Sequence, residues 1–235
     1  MNLDSIKLPQ EWKELLKDDL QSQYFENIAK AYRAQIQSGK ILYPPPRLLF
    51  HAFNATLPQD VRVVILGQDP YHGSVAVRDG NTIVQIPQAM GLSFSVPMPL
   101  PPPPSLKNIY AELSRTMDFV PPMHGDLSAW AKRGVLLLNS ILSVQANNPA
   151  SHKNLGWQRF SDAVIAKLSM QYTGIVFLLW GNYAKAKATL IDSTKHCVIT
   201  APHPSPLAKG FVGSDCFVKA DAYLKAQGKS IDWSL

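Results

Sequence analysis

The sequence has few cysteines and no long hydrophobic run. Only two of its 235 residues are cysteine, Cys197 and Cys216, which is too few for a disulfide framework and gives no metal-ligand spacing. No apolar run approaches the roughly 20 residues that cross a bilayer. The start of the chain lacks a basic region followed by an apolar stretch, which is the pattern of a signal peptide. We therefore expect a cytoplasmic protein with no membrane partner.

Several catalytic signatures are also missing. There is no Walker loop, no Gly-x-Gly-x-x-Gly fingerprint and no Gly-x-Ser-x-Gly elbow. The histidines His72, His152 and His203 are not spaced like zinc ligands on one element. We expect neither a metal nor a cofactor. The formal charge of +6 permits a polyanionic partner, but the basic residues are scattered, so charge alone does not indicate nucleic acid.

Four short apolar runs alternate with helical patterns. The runs have strand length and are nearly continuous in apolar residues, as in strands buried on both faces: residues 61–66, 134–139, 175–180 and 197–201. Helical spacing occurs before and between them, at 11–20, 24–36, 47–53, 106–117, 127–133, 157–170, 183–190 and 215–226. This alternation predicts an α/β fold: one domain over residues 1–235, with a central four-stranded, mainly parallel sheet and helices on both faces.

Polar or turn-forming residues follow every predicted strand. They are Gln68 and Asp69 after the first strand, Asn139 at the end of the second, Gly181 and Asn182 after the third, and His203 and Ser205 after the fourth. Open α/β sheets place their sites at the carboxyl ends of the strands. The sequence therefore predicts a functional site at this edge of the sheet.

The densest group of reactive side chains is Gly67-Gln-Asp-Pro-Tyr-His-Gly73. Packing does not require a carboxylate, a phenol and an imidazole within four residues. Gly67 and Gly73 suit backbone angles that other residues resist, and Pro70 stiffens the turn.

Each candidate residue also has a purely structural interpretation. Asp69 could be a turn residue that bonds its own backbone, and His203 an incidental side chain in a rigid surface loop. Asn139 could satisfy backbone groups, Phe94 could belong to the core, and Leu207 could be an ordinary exposed loop residue.

The motifs, taken together and in order, resemble the family 1 uracil-DNA glycosylases of bacterial type. The loop 67–73 resembles their water-activating loop, Gly91-Leu-Ser-Phe-Ser-Val96 their uracil-stacking segment, and Leu136-Leu-Leu-Asn139 their uracil-reading strand. Pro102-Pro-Pro-Ser105 is similar to their proline-rich phosphate loop and His203-Pro-Ser-Pro-Leu207 to their DNA-intercalation loop. The resemblance extends over nearly the whole chain.

The resemblance implies that the chain flips uracil out of DNA and hydrolyses the uracil–deoxyribose bond, leaving an abasic site for base excision repair. Asp69 would stabilise the positively charged sugar and orient or deprotonate water, and a neutral His203 would donate a hydrogen bond to uracil O2. Phe94 would stack on the base and Asn139 would read its Watson–Crick edge. Tyr71 would exclude the thymine methyl group by a clash.

The remaining implied roles concern the base, the loop and the DNA backbone. The backbone near Gln68 would contact the base, and His72 would support the loop by hydrogen bonding. Phosphates would be bound by Ser105, Ser205 and the turn at Gly181 and Asn182, and Leu207 would fill the space that the flipped nucleotide leaves. The implied partners are uracil-containing DNA, single- or double-stranded, and an inhibitor protein that mimics DNA. We expect a monomer.

The chain departs from the family pattern at three places. An insertion within residues 74–87 has Asp79-Gly80 between two β-prone runs, which predicts a hairpin beside the site; it is either a tolerated surface insertion or a contact through Arg78. The family's phosphate-binding Gly-Ser is Gly181-Asn182 here. The segment after Leu207 is short, and Lys209 would supply its positive charge.

Two other functions are compatible with these motifs. One is a DNA-binding scaffold that has lost catalysis, which the intact Asp69, Asn139 and His203 argue against. The other is a glycosylase that acts on several bases. Tyr71 together with Asn139 argues against it, because such a pocket should refuse thymine and cytosine.

Overall fold

The structure is a computed structural model, and it describes residues 6–235. The strands, in chain order, are β1 (Leu42–Tyr43), β2 (Val63–Gly67), β3 (Ser74–Asp79), β4 (Thr82–Pro87), β5 (Val135–Asn139), β6 (Val144–Gln145), β7 (Val176–Trp180) and β8 (Cys197–Ala201). The α-helices are α1 (Gln10–Leu15), α2 (Lys17–Leu20), α3 (Gln23–Gln37), α4 (His51–Ala55), α5 (Pro104–Thr116), α6 (Ser128–Lys132), α7 (Trp157–Gln171), α8 (Gly181–Lys185) and α9 (Cys216–Lys225).

A four-stranded parallel sheet lies at the centre, in the order β5-β2-β7-β8. Every residue of β2, β5 and β7 is buried, which explains why their sequences lack the alternation of a half-exposed strand. The predicted α/β fold with this sheet is confirmed. The first three strands begin one or two residues later than predicted.

The order of the strands fixes where a site can form. The chain passes from β2 outward to β5, returns across β2 to β7, and then continues to β8. Right-handed crossovers in opposite directions place helices on opposite faces of the sheet. They also leave a crevice outside the carboxyl ends of β2 and β7, where the direction of the connections reverses. The loops after all four strands converge on this crevice.

Several helices differ in detail from the prediction. Residues 11–20 form two helices instead of one, because Leu16 departs from helical geometry between α1 and α2. The stretch 47–53 is divided between a 3₁₀ turn, Pro46–Leu48, and α4. The predicted helix 183–190 begins at Gly181 as α8 and continues as the 3₁₀ segment Ala186–Leu190.

Two small antiparallel sheets flank the central one. Strands β1 and β6 form a pair that the sequence did not predict, because each has only two residues. Strands β3 and β4 form a hairpin whose base is closed by a hydrogen bond from the Gln88 amide to the Gly73 carbonyl, at 3.0 Å. Within residues 6–235, no helix is both long and apolar enough to cross a bilayer.

Candidate active site

A cavity of about 640 Å³ opens at the carboxyl edge of the sheet. It brings together most of the residues that the sequence singled out: Gln68, Asp69, Tyr71, His72, Phe94, Ser105, Asn139, His203, Ser205 and Leu207. Gly181 and Asn182 line a neighbouring cavity of about 220 Å³, which shares Gly67, Gln68 and His203 with the first.

Asp69 lies in the loop after β2, between the exposed Gln68 and the buried Pro70. Burial raises the pKa of its carboxyl above the usual 3.8, while the backbone of Ala150 and the charge of His72 act in the opposite direction. A raised pKa makes a carboxylate a better proton acceptor near neutral pH. Asp69 can therefore take a proton from water or, as an anion, face a developing positive charge.

Asn139 ends β5 and is paired in register with Gly67 of β2. A Cβ atom on Gly67 would lie 2.3 Å from Asn139 Oδ1 and 2.8 Å from Ser93 Cβ. Neither Gly67 nor Gly73 has a left-handed φ, so the expectation of unusual backbone angles was wrong. Gly67 is instead required for space, because its missing side chain lets the Asn139 amide lie at the cavity wall.

Phe94 is held at the cavity in a strained conformation. Its φ of 62° lies in the left-handed region, which costs a non-glycine residue about 1–3 kcal/mol. The preceding Ser93 is buried, and its hydroxyl donates to the Ile65 carbonyl in β2 at 3.2 Å. The Phe94 ring centroid lies 5.5 Å from that of Trp180 and 6.1 Å from that of His203. The strained backbone thus presents one half-buried aromatic face to the cavity.

Tyr71 lines the same cavity and contacts the Phe94 segment. Its hydroxyl donates to the Phe94 carbonyl at 3.4 Å. Burial raises the pKa of the Tyr71 phenol far above its ordinary value, so the side chain stays neutral. Its ring is therefore an uncharged wall of the cavity with a fixed orientation.

The hydrogen bonds of His203 define which ring nitrogen can act as a donor. The Ser205 backbone amide donates to His203 Nδ1 at 3.0 Å, so Nδ1 must carry a lone pair. Burial lowers the pKa of His203 and favours the neutral ring. A neutral imidazole with an accepting Nδ1 bears its proton on Nε2. His203 is therefore a neutral donor at the cavity.

Gly181 lies directly against the side chain of His203. The sequence predicted a turn at Gly181 and Asn182, but both residues begin helix α8. Gly181 has a left-handed φ of 80°, and a Cβ atom there would lie 3.0 Å from His203 Cβ. The imidazole thus packs directly against the start of α8.

The predicted phosphate contacts lie at the mouth of the cavity. Ser105 is in the first turn of α5, where unpaired backbone amides and the helix dipole favour an anion. The Ser205 hydroxyl accepts a hydrogen bond from the Leu207 amide at 3.2 Å. Leu207 is 97% exposed, so it projects into solvent with no packing role.

His72 supports its loop through its backbone. Within residues 6–235 its ring makes no hydrogen bond, but its backbone carbonyl accepts from the Asn147 amide at 2.7 Å. The loop that follows β6 therefore packs against the Asp69 loop, and Pro149 of that loop lines the cavity. The turn-forming run Asn147-Asn148-Pro149 is the local pattern that indicates a loop in this segment.

The part of the chain that the structure describes contains no group of three or more His, Cys, Asp or Glu side chains placed to hold a metal ion. The polar side chains that line the cavity include the Asp69 carboxylate, the neutral imidazole of His203 and the Asn139 amide, with Gln68 and His72 beside them.

Known proteins share both the sequence and the fold. The model of the Uracil DNA glycosylase superfamily matches residues 54–225. The chain is 57% identical to a uracil-DNA glycosylase of Helicobacter hepaticus over 234 residues, covering 99% of this chain and 98% of that protein. It is 52% identical to one from Campylobacter jejuni, covering 100% and 97%.

The fold agrees with a solved structure of the same family. The crystal structure of mimivirus uracil-DNA glycosylase superposes with a TM-score of 0.89 at 32% identity, covering 100% of this chain and 90% of that one. With a family match over most of the chain and relatives above half identity along its full length, the chain belongs to the uracil-DNA glycosylase superfamily.

Proposed function

We propose that the chain releases uracil from DNA in the 640 Å³ cavity, with Asp69 and His203 as its catalytic residues. Membership of the family makes the chain a glycosidase of DNA repair that excises uracil. The observation that carries the assignment of residues is the convergence of Asp69, Asn139 and the Nε2 donor of His203 on one cavity.

Uracil would be selected by shape and by hydrogen bonding. The flipped base would stack on Phe94, and the Asn139 amide would offer both a donor and an acceptor to its Watson–Crick edge. The neutral ring of Tyr71 would occupy the space of a methyl group at C5, so thymine would clash. The backbone near Gln68, which also lines the cavity, would contact the base.

Hydrolysis would proceed with opposite charges developing at two places. As the bond between base and sugar breaks, the sugar gains oxocarbenium character and uracil departs as an anion. The Asp69 carboxylate would stabilise the sugar and orient or deprotonate the attacking water. His203 would donate from Nε2 to uracil O2, where negative charge develops, and a donor so placed contributes about 10²–10³ in rate.

DNA would be held by few cations. Ser105 at the start of α5, Ser205, and the amides of Gly181 and Asn182 would bind phosphates near the flipped nucleotide. Leu207 would enter the base stack and fill the vacated space. Lys209, two residues further on, is exposed and would add positive charge beside the strand.

The remaining assignments concern partners and location. A mimivirus UNG variant forms a complex with UGI. We infer that an acidic inhibitor protein that mimics DNA would bind this chain on the face that carries Ser105 and Leu207. Because the relatives are bacterial DNA-repair enzymes, we infer that the chain acts on DNA in the cytoplasm, and we propose that it does so as a monomer.

The test uses matched oligonucleotides that carry one uracil, thymine or cytosine, incubated with the protein and a chelator. Alkali then cleaves the strand at any abasic site. We expect scission of the uracil strand alone. Asp69→Asn, which keeps the size of the side chain, should lower kcat by about 10²–10⁴ and leave DNA binding intact.

Two results would contradict the proposal. If no strand is cleaved while DNA is still bound, the chain is a DNA-binding scaffold. If Asp69→Asn loses DNA binding and turnover together, Asp69 is a structural residue.

A further inference from the structure

Glu112 is a buried carboxylate that the proposed mechanism does not use. It lies in α5, and its side chain has no exposed surface. Within residues 6–235 no other Asp, Glu, Lys or Arg is buried. A buried carboxylate destabilises a fold unless its charge is paired and both of its oxygens accept hydrogen bonds. The partners of Glu112 therefore indicate what it holds in place.

Both oxygens of Glu112 are fully engaged. Arg115 donates from Nε to Oε2 at 3.1 Å and from its terminal nitrogen to Oε1 at 3.0 Å. The amide of Gly213 donates to Oε2 and that of Asp215 to Oε1, each at 2.7 Å. Burial alone would raise the pKa of Glu112, but Arg115 and the two amides outweigh it and hold the pKa below its usual value. Glu112 is thus an ionised anchor for the backbone at 213–215.

A second side chain of α5 holds the other end of the same segment. Asn108 Nδ2 donates to the Pro204 carbonyl at 2.8 Å. Asn108 and Glu112 are four residues apart, which is about 6 Å along a helix. We call residues 204–213 the leucine loop. Its two ends contact α5 at points that are about one helical turn apart. A loop with such closely held ends is a compact unit.

Leu207 is at the tip of the leucine loop. The Ala208 amide donates to the Ser205 carbonyl at 2.9 Å, and the Leu207 amide donates to the Ser205 hydroxyl. These two bonds form a tight turn with Leu207 inside it. No packing contact fixes this exposed side chain. Its position is therefore set by the turn, by the two anchors on α5, and by Phe211, which is buried with its ring centroid 5.0 Å from that of Trp180.

We propose that Glu112 is a positioning residue that, with Asn108, sets how far Leu207 reaches into duplex DNA. The inference rests on the proposed function and adds a determinant of duplex substrate use. Ser105, the predicted phosphate contact, lies on the same helix, so α5 fixes the distance between the bound phosphate and the tip of the leucine loop. Filling the base stack matters only in a duplex, because an isolated strand has no opposing stack to repair.

The experiment compares kcat/KM for one uracil oligonucleotide, single-stranded or in duplex, in wild type, Glu112→Gln, Asn108→Ala and Leu207→Ala. Glutamine keeps the size of Glu112 but turns an NH₂ group toward Arg115 or a backbone amide. We expect Glu112→Gln to lower kcat/KM on the duplex about tenfold more than on the single strand. Asn108→Ala should lower both, because Pro204 adjoins His203, with the larger loss on the duplex.

A double-mutant cycle separates positioning from general stability. In a Leu207→Ala background, the duplex-specific part of the Glu112→Gln and Asn108→Ala effects should vanish, because nothing is left to position. Glu26→Gln is the matched control: it makes the same change at a partly exposed glutamate on α3, which pairs with Lys30, and should leave the ratio of duplex to single-strand kcat/KM unchanged.

The outcomes of this experiment test the role of Glu112 and the proposed function separately. Equal losses on both substrates, or a duplex-specific loss that persists without Leu207, would overturn the role of Glu112. Wild-type excision from the single strand verifies the proposed function separately, and its absence would contradict that function. If Glu112→Gln does not fold, Asn108→Ala tests the other end of the leucine loop. Its duplex-specific loss in kcat/KM is then compared with and without Leu207→Ala.

Discussion

Replacing Gly67 with alanine should damage uracil recognition without altering the contacts of the cavity with DNA phosphates. The new Cβ atom would lie 2.3 Å from Asn139 Oδ1, where an ordinary contact between carbon and oxygen is about 3.4 Å. The new Cβ atom cannot shift away from Asn139 toward Ser93, because it would already lie 2.8 Å from Ser93 Cβ. Since the backbones of Gly67 and Asn139 are paired within the sheet, the Asn139 side chain must move by about 1 Å.

A displacement of this size is large on the scale of catalysis. Misplacing a substrate-positioning group by about 1 Å can cost about 10²-fold, or about 2.7 kcal/mol of transition-state stabilisation. We therefore expect kcat/KM for uracil excision to fall about 10²-fold. Overpacking of the sheet should also lower the free energy of unfolding by about 1–3 kcal/mol. Inhibition by free uracil should weaken in parallel, because the same amide binds the product.

The matched control is Gly73→Ala in the same loop. Neither glycine has a left-handed φ, but a Cβ atom on Gly73 would meet only Gln88 Oε1, the end of a flexible side chain. Its kcat/KM should stay within a few-fold of wild type. Steady-state excision assays and thermal unfolding of both variants test this. A folded Gly67→Ala protein with wild-type kcat/KM and wild-type inhibition by uracil would refute the argument that Asn139 reads the base.

Three further substitutions test the cavity. Tyr71→Ala should admit thymine, and undetectable thymine release would show that the clash at C5 is not the basis of selection. Gly181→Ala combines a strained φ with a Cβ atom 3.0 Å from His203 Cβ, so kcat should fall about tenfold, while a change in KM alone would contradict the packing argument. Burial raises the pKa of Asp69 and the charge of His72 opposes this rise, so the acid limb of kcat/KM should lie above pH 3.8. His72→Gln removes that charge, raises the pKa of Asp69 further and should move the limb to higher pH; an unmoved limb would show that His72 does not act on Asp69.

The sequence predicted the central sheet well because its strands are unusually clear. β2, β5 and β7 are buried throughout, so each appears as an uninterrupted apolar run that ends at a polar loop. The parallel arrangement then brings the ends of the runs to one edge. For that reason the sequence alone predicts that Asp69, Asn139 and His203, which are far apart in the chain, lie at one site.

Features that depend on packing between segments could not be predicted in the same way. The space that Gly67 leaves for Asn139 depends on the register of β2 against β5, which no local pattern encodes. The left-handed φ of Phe94 is imposed by its surroundings and contradicts the preference of the residue. The contact between Asn147 and His72 joins loops more than seventy residues apart. In each case a local propensity is overruled by a tertiary contact.

Glu112 is a further residue whose environment depends on a tertiary contact. Glu112 follows the buried Ile109 by three residues and so lies at the edge of the buried face of α5, where Arg115 and the amides of Gly213 and Asp215 compensate its charge. Asn139, the proposed reader of the base, is held by the sheet, whereas Leu207 lies in a loop that is anchored to α5. Because the two supports are separate, changes at Gly67 should affect every uracil substrate, while changes at Glu112 should affect the duplex most. On the two proposals together, α5 would add duplex recognition to a pocket that the sheet makes selective for uracil.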